Sequence, residues 1–205
     1  MQLPLPDPDG SMSLERSLLA RRTVRSFLTR AIELKQFSQL CWAAQGITDE
    51  RKQKRTAPSG GALYPLDVYA AVGDGGVERL GAGIYHYEPL NHGVYLRTAG
   101  DIRSDLAKAS YGQTWMAAAP VHLVITAEYK RICGKYGERG IRYAIMEVGH
   151  VGQNIFLQAE ATGLGAGIVG AFHDQEVSEI MALPPDHEPL LIMPIGYKKE
   201  RKRFL

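Results

Sequence analysis

Apolar residues recur at Ile141, Ala144, Ile145, Val148, Val151, Ile155, Phe156 and Ala159, the three-and-four spacing of one helix face. No proline interrupts the stretch from Arg142 to about Thr162. At ~1.5 Å per residue it would run roughly 30 Å. The opposite stripe, Glu147, His150, Asn154 and Gln158, is polar and carries one certain charge. Gly149 and Gly152 each lower helix stability by on the order of 1 kcal/mol against alanine. They predict close approach of another backbone and a helix buried on most sides. Gly163 supplies the stop. Residues 164–172, with glycine at 165, 167 and 170, then read as a strand whose backbone can lie against a flat ligand.

The same reading predicts shorter elements elsewhere. Ser13 caps a helix over 14–20. Leu34, Phe37, Leu40, Cys41 and Ala44 mark an amphipathic helix over 32–45, stopped by Gly46. The polar stretch 49–55 reads as a loop. Apolar and β-branched runs predict strands at 67–72, 121–126 and 190–195, and a hairpin joining 83–86 to 94–98 around Asn91-His92-Gly93. Asp101 starts a helix to about Ser110, a short helical connection covers 128–140, and Asp174 caps a helix over 175–181. With no repeat or linker, the pattern divides the chain into an extended arm, 1–12, and a single domain, 13–205.

Composition narrows the function classes. A chain of 205 residues, 45% hydrophobic and 22% charged, suits one domain with a sizeable core. A net charge of +2 argues against nucleic acid or a membrane as partner. No apolar run is long enough to span a bilayer, and the first residues lack the basic and apolar regions of a signal peptide. The expectation is a soluble, cytoplasmic protein. Cys41 and Cys133 match no metal or redox spacing, and the basic run 198–203 reads as a solvated tail.

Two further stretches carry candidate chemistry. Arg21-Arg22-Thr23-Val24-Arg25 puts three guanidinium groups and a hydroxyl within five residues. Extended, Arg21, Thr23 and Arg25 share one side, which suits a phosphate or polyanion as well as it suits a solvated basic patch. Pro58-Ser59-Gly60-Gly61-Ala62-Leu63-Tyr64-Pro65 is either a plain turn or a loop that brings main-chain N–H groups to a ligand. Other motifs fail on context. The glycines at 163, 165 and 167 follow a helix and open a strand, the reverse of a dinucleotide fingerprint. Glu147-x-x-His150 has di-iron spacing but no second copy, which leaves a satisfied buried pair and no metal. Ser59 lies in no nucleophile elbow. Together these segments would suit a phosphate-bearing, flat heterocycle.

In order and spacing they resemble the nitroreductase family of FMN-dependent oxidoreductases along nearly the whole chain. Arg21–Arg25, Pro58–Pro65, the helix with Glu147 and Asn154, and Gly163-Leu164-Gly165 carry the resemblance. The Ala-Pro-Ser-x-Gly-Ala-Leu-Tyr-Pro version is most similar to the SagB-type branch, which includes peptide azoline oxidases. The resemblance implies an α+β fold: a central, mainly antiparallel sheet flanked by helices, in an intertwined homodimer with FMN at the interface. It implies that Arg21, Arg22, Thr23 and Arg25 hold the phosphate, ribityl chain and pyrimidine edge, with Lys198 or Arg201 reaching the phosphate. Pro58, Ser59, Gly60 and Leu63 would approach from the other subunit. Ile168, Val169 and Gly170 would run past the ring, the Gly170 amide near N5. No side chain is implied as an obligatory acid or base. Tyr111, Tyr129, Tyr136 and Phe172 are candidates for the substrate side or for core. The implied activity passes a hydride from NAD(P)H through flavin N5 to a small organic acceptor, a nitro compound, a quinone or similar. The alternatives are an oxidase or dehydrogenase of a heterocycle or peptide azoline, and a non-catalytic flavin-binding protein.

Overall fold

The computed structural model describes residues 1–49, 51 and 54–199. Helices α1 (Leu14–Ala20) and α2 (Leu34–Gln45) are followed by the short pair β1 (Ile47–Asp49) and β2 (Lys54–Arg55). Strands β3 (Leu66–Val72), β4 (Gly83–Glu88) and β5 (Gly93–Ala99) lead to α3 (Arg103–Ala109) and β6 (Val121–Ala127). Then come α4 (Lys130–Tyr136), α5 (Arg139–Ala161), β7 (Gly165–Ala166), α6 (Asp174–Ile180) and β8 (Glu188–Gly196). The main sheet has the order β5-β4-β3-β6-β8-β7, and each neighbouring pair is antiparallel.

Period-two alternation explains why this sheet is covered on both faces. Val68, Ala70, Leu123, Ile125, Leu191 and Met193 pack with Phe37 and Leu40 of α2 and with Val151 and Ile155 of α5. The alternate residues Tyr69, Ala71, Val124 and Ile192 pack with Leu106 of α3 and Val177 of α6. The helical spacing read from α5 is therefore real, but it buries a stripe, not most of the helix. Ile145 and Met146 stay 54% and 51% exposed. The two glycines part company for the same reason. A Cβ on Gly152 would meet Leu191 Cδ2 of β8 at 3.1 Å, a side chain and not a backbone, while one on Gly149 would meet nothing within 4 Å.

Other expectations shift locally. The strand expected over 164–172 is reduced to β7 and a bridge between Val169 and Ile192. The loop expected over 49–55 includes parts of β1 and β2. Helix α2 starts at Leu34 because Glu33 and Gln36 form its capping box. At α6 the N-cap is His173, and Asp174 is the first helical residue. Ser13 does cap α1, accepting from the Arg16 N–H at 3.2 Å. The arm lies on its own chain: Leu3 is buried, Gln2 bridges Gly93, and Asp7 and Gln39 exchange hydrogen bonds. Of the basic tail, only Lys198 and Lys199 fall within the described residues, and the phosphate candidate Arg201 lies outside them.

Candidate functional site

The expected site residues assemble into two groups, one toward each end of α5. The first forms where the segment after α1 runs beside β7. Thr23 bridges Ala166 in parallel, and the Val24 N–H donates to the Ala166 carbonyl at 2.9 Å. Glycine is required here by close approach. A Cβ on Gly165 would meet Val24 Cγ2 at 2.7 Å, and one on Gly167 would meet the Val24 carbonyl oxygen at 2.9 Å. Arg21 lies over the Phe156 ring of α5 at 5.1 Å, and Arg25 over Trp115 at 5.8 Å. Arg22 turns back to α1 and donates to the Leu19 carbonyl at 2.9 Å.

Lys198 joins this group through the bridge between it and Phe27. Its ammonium donates to Glu160 Oε2 at 2.5 Å, a carboxylate whose side chain is only 5% exposed. Val169 turns into the core and is 3% exposed, whereas Ile168 is 40% exposed. Gly170 is also exposed, with nothing within 4 Å of a Cβ built on it. Of the expected trio, Ile168 and Gly170 therefore face outward, and Val169 is held by paired backbone bonds with Ile192 at 2.9 Å.

The second group is the loop before β3. Its Gly60–Ala62 turn is a single 3-10 turn, and Gly61, Ala62 and Tyr64 have φ of 65°, 55° and 47°. Ser59 Oγ accepts the Tyr64 N–H at 2.9 Å and locks the turn. The loop rests on α4 and α5: Gly60 faces Ile132 and Tyr143, and Gly61 faces the Tyr136 hydroxyl. Pro58, Ser59 and Gly60 line a cavity of about 230 Å³ with Tyr143, Met146, Glu147 and His150. Leu63 is half-buried behind them.

Tyr143 and Phe156, which mark the two groups on α5, are thirteen residues apart in the chain. At ~1.5 Å per residue that separation is about 20 Å along the helix. The two groups thus meet α5 at points about 20 Å apart along its axis.

The Glu147–His150 pair expected from spacing does not form. His150 is exposed, while Glu147 is 1% exposed. Glu147 Oε1 instead accepts from Gln45 Nε2 at 3.5 Å, and Oε2 has no hydrogen-bond partner among the described residues. Burial pushes the Glu147 carboxyl above the ordinary carboxylate range, opposed by the Ser59 hydroxyl, Gln45 and the Arg55 charge.

A separate polar cluster has metal-like spacing, with ligand atoms of Asp67, Glu128 and His187 within 4.8 Å of one another. Arg131 lies among them, donating to Glu128 Oε2 at 2.6 Å and sitting 2.8 Å from Asp67 Oδ2, close but poorly aligned for a hydrogen bond. A guanidinium fills the place a cation would take.

Among the aromatic candidates, Phe172 is core, and Tyr129 packs on the core and donates to Glu188. Tyr136 stands edge-on to Tyr143 beside the Gly61 turn. Tyr111 is 65% exposed, in a left-handed conformation with φ 54°, its ring 4.4 Å from His173. Sequence reasoning missed Trp115, Glu160, Gln45 and Arg55 as parts of these groups. Only Glu160 left a signal, an acid beside the apolar stripe of α5.

The nitroreductase family model matches residues 18–197. The chain belongs to the nitroreductase family. It is 43% identical over 201 residues to MJ1384 of Methanocaldococcus jannaschii, provisionally named a nitroreductase, covering 98% of both chains. A Ralstonia eutropha crystal structure, likewise provisionally named, superposes with a TM-score of 0.85 at 32% identity, over 98% of this chain and 90% of that one. The Escherichia coli microcin B17-processing protein McbC is 30% identical over 179 residues, covering 86% of this chain and 61% of McbC. The α+β fold with its antiparallel sheet is that of the nitroreductase structures, and no helix among the described residues is long and apolar enough to cross a membrane.

Proposed function

We propose that this member of an oxidoreductase family is FMN-dependent and acts as a homodimer, passing a hydride from NAD(P)H through flavin N5 to a small organic acceptor such as a nitro compound or quinone. The observation that carries this reading is the separation of the family's cofactor residues into two outward-facing groups at opposite ends of α5. A twofold axis beside α5 would bring the first group of one copy to the second group of the other. Exposed Leu14, Leu18 and Leu19 on α1, with Ile141, Ile145 and Met146 on α5, supply an apolar surface for that contact.

The residues present fit FMN. Arg21, Arg22, Thr23 and Arg25 supply cations and a hydroxyl for a phosphate and for the pyrimidine edge. Ile168 and Gly170 offer an open backbone edge beside them, and Val169 anchors that edge to β8. Lys198 can reach a phosphate only by sharing or leaving Glu160. Pro58, Ser59, Gly60 and Leu63 would close the site from the partner subunit. Bound FMN supplies the hydride chemistry, and the protein supplies position and field. A guanidinium of Arg25 or Arg22 near the pyrimidine edge would favour negative charge there.

Oxidation of a heterocycle or peptide azoline is a second reading, supported by the similarity to McbC and to the E. coli microcin synthetase McbBCD structure, TM-score 0.76 at 25% identity. One experiment tests both. The purified protein is examined for visible absorption, released FMN, stoichiometry and mass in solution, then treated with NADH or NADPH. FMN at about one per chain in a dimer, bleached by a nicotinamide, is the expected result. Bound FMN that nicotinamides leave oxidised would favour the second reading. A colourless protein that takes up no added FMN would end both.

A further inference from the structure

The buried polar atoms without a hydrogen-bond partner among the described residues include two of opposite kind that lie near one another in the fold: Nε of Arg55, a donor, and Oε2 of Glu147, an acceptor. One side chain joins the residues that carry them. Arg55 NH1 donates to Gln45 Oε1 at 3.1 Å, and Gln45 Nε2 donates to Glu147 Oε1 at 3.5 Å. The amide of Gln45, itself buried, thus turns its oxygen to the guanidinium and its nitrogen to the carboxyl. Glu147 and Ser59 line the same cavity, and Ser59 Oγ accepts the Tyr64 N–H at 2.9 Å. The connection returns to its start through Tyr64, whose hydroxyl accepts the Arg55 N–H at 3.2 Å and whose ring lies 4.5 Å from Arg55 Cζ. Arg55, Gln45, Glu147, Ser59 and Tyr64 form a ring of neighbouring groups drawn from β2, α2, α5 and the loop before β3, hydrogen-bonded except between Glu147 and Ser59, which share a cavity wall.

The loop needs such support. Ala62 and Tyr64 both hold positive φ without being glycine, a conformation that persists only where surroundings enforce it. We propose that this ring is the positioning device of the cofactor-facing loop, with Glu147 as the residue that sets how firmly Ser59 and Tyr64 are held. The proposal rests on the reading that Pro58, Ser59 and Gly60 meet FMN.

The groups facing Glu147 are Ser59 from the loop, Gln45 from α2, Arg55 from β2, and Tyr143 and His150 of its own helix. Burial favours its neutral form over the pull of Ser59, Gln45 and Arg55. A carboxyl whose pKa is raised in the closed arrangement holds its proton more tightly there, so closure weakens as pH rises through its titration. Ionised Glu147 would draw water into the ring and let the loop open.

The test follows the hydrogen exchange of the Tyr64 amide by NMR in the flavin-free full-length chain, and FMN affinity by titration, from about pH 5 to about pH 8. The proteins are the wild type, Glu147→Gln, Glu147→Ala and Gln45→Leu. Wild-type protection, corrected for intrinsic exchange, should fall about tenfold as pH rises, and Glu147→Gln should hold within about twofold of the acid value throughout. Glu147→Ala and Gln45→Leu should lose about tenfold at every pH while amides of β6 keep their protection. FMN affinity should follow the same order. Unchanged Tyr64 exchange in Gln45→Leu, or a pH slope that survives in Glu147→Gln, overturns the proposal, as does FMN affinity that ignores the loop. If the exchange pattern holds and no protein binds FMN, the ring stands and the cofactor reading falls.

Discussion

Glu160 and Lys198 meet directly at 2.5 Å at the C-terminal end of α5, whereas toward its N-terminal end Glu147 and Arg55 meet only through the amide of Gln45. Both carboxyls are buried on the same helix. The direct pair neutralises a buried charge and ties the segment after β8 to α5. The relayed pair leaves a donor and an acceptor unmatched and ties a loop of left-handed residues to three elements. The contrast separates two uses of buried polarity. A direct pair should matter most to stability, and a relayed one to the position of a loop.

The largest expected effect is a baseline shared by both ends. His122, in β6, is fully buried and donates to the Met116 carbonyl at 2.9 Å, and burial lowers its pKa to about 4. A histidine with a depressed folded pKa loses stability as pH falls from the ordinary histidine value to the folded one. Over that window the loss should reach about 3 kcal/mol. Urea denaturation across pH measures it, and His122→Phe should flatten that limb.

Next in size is Lys198→Met. Removing one partner of a fully buried pair typically costs ~3–5 kcal/mol, and the 40% exposure of Lys198 reduces this to about 2 kcal/mol. A neutral result would break the contrast at its stronger end. Gly167→Ala should destabilise by about 1 kcal/mol, because the added methyl meets the Val24 carbonyl oxygen and Trp115. The same substitution should weaken FMN retention, measured on gel filtration, by shifting the arginine segment.

Glu147→Gln tests the other end and has the opposite sign. Its raised pKa makes the native carboxyl a source of stability that is lost as pH rises. The variant should match the wild type in acid and exceed it at neutral and basic pH in thermal unfolding. A variant less stable than the wild type at every pH would make Glu147 an ordinary paired acid. The smallest effect is Arg22→Ala. It removes an exposed bond to the Leu19 carbonyl and should change stability by about 0.5 kcal/mol.

Element types and most boundaries were legible because period and punctuation are local. The α5 stripe, the strands and the Ser13 cap each follow from residues within a few positions. The errors arise where a local pattern has more than one tertiary outcome. Gly149 and Gly152 look alike in sequence and lie only about 60° apart around the helix axis, yet the roll of α5 turns Gly152 to Leu191 of the sheet and leaves Gly149 open. Glu147 and His150 share a face by spacing, yet the roll of α5 on the sheet buries one and exposes the other. Residues 164–172 could be read as strand, but the nearby edge of β8 accepts only two residues as β7 and a single bridge at Val169.

The amino-acid sequence by itself determined most helices and strands, the arginine and glycine segments, and the family resemblance, because each is written in neighbouring residues. Tertiary structure alone decided that those segments fall into two groups about 20 Å apart on one helix. It alone joined Gln45 to Glu147 across 102 positions and Lys198 to Glu160 across 38. The physical reason is that a buried polar group must find its partner wherever packing brings one within about 3 Å. Distance along the chain carries no record of that.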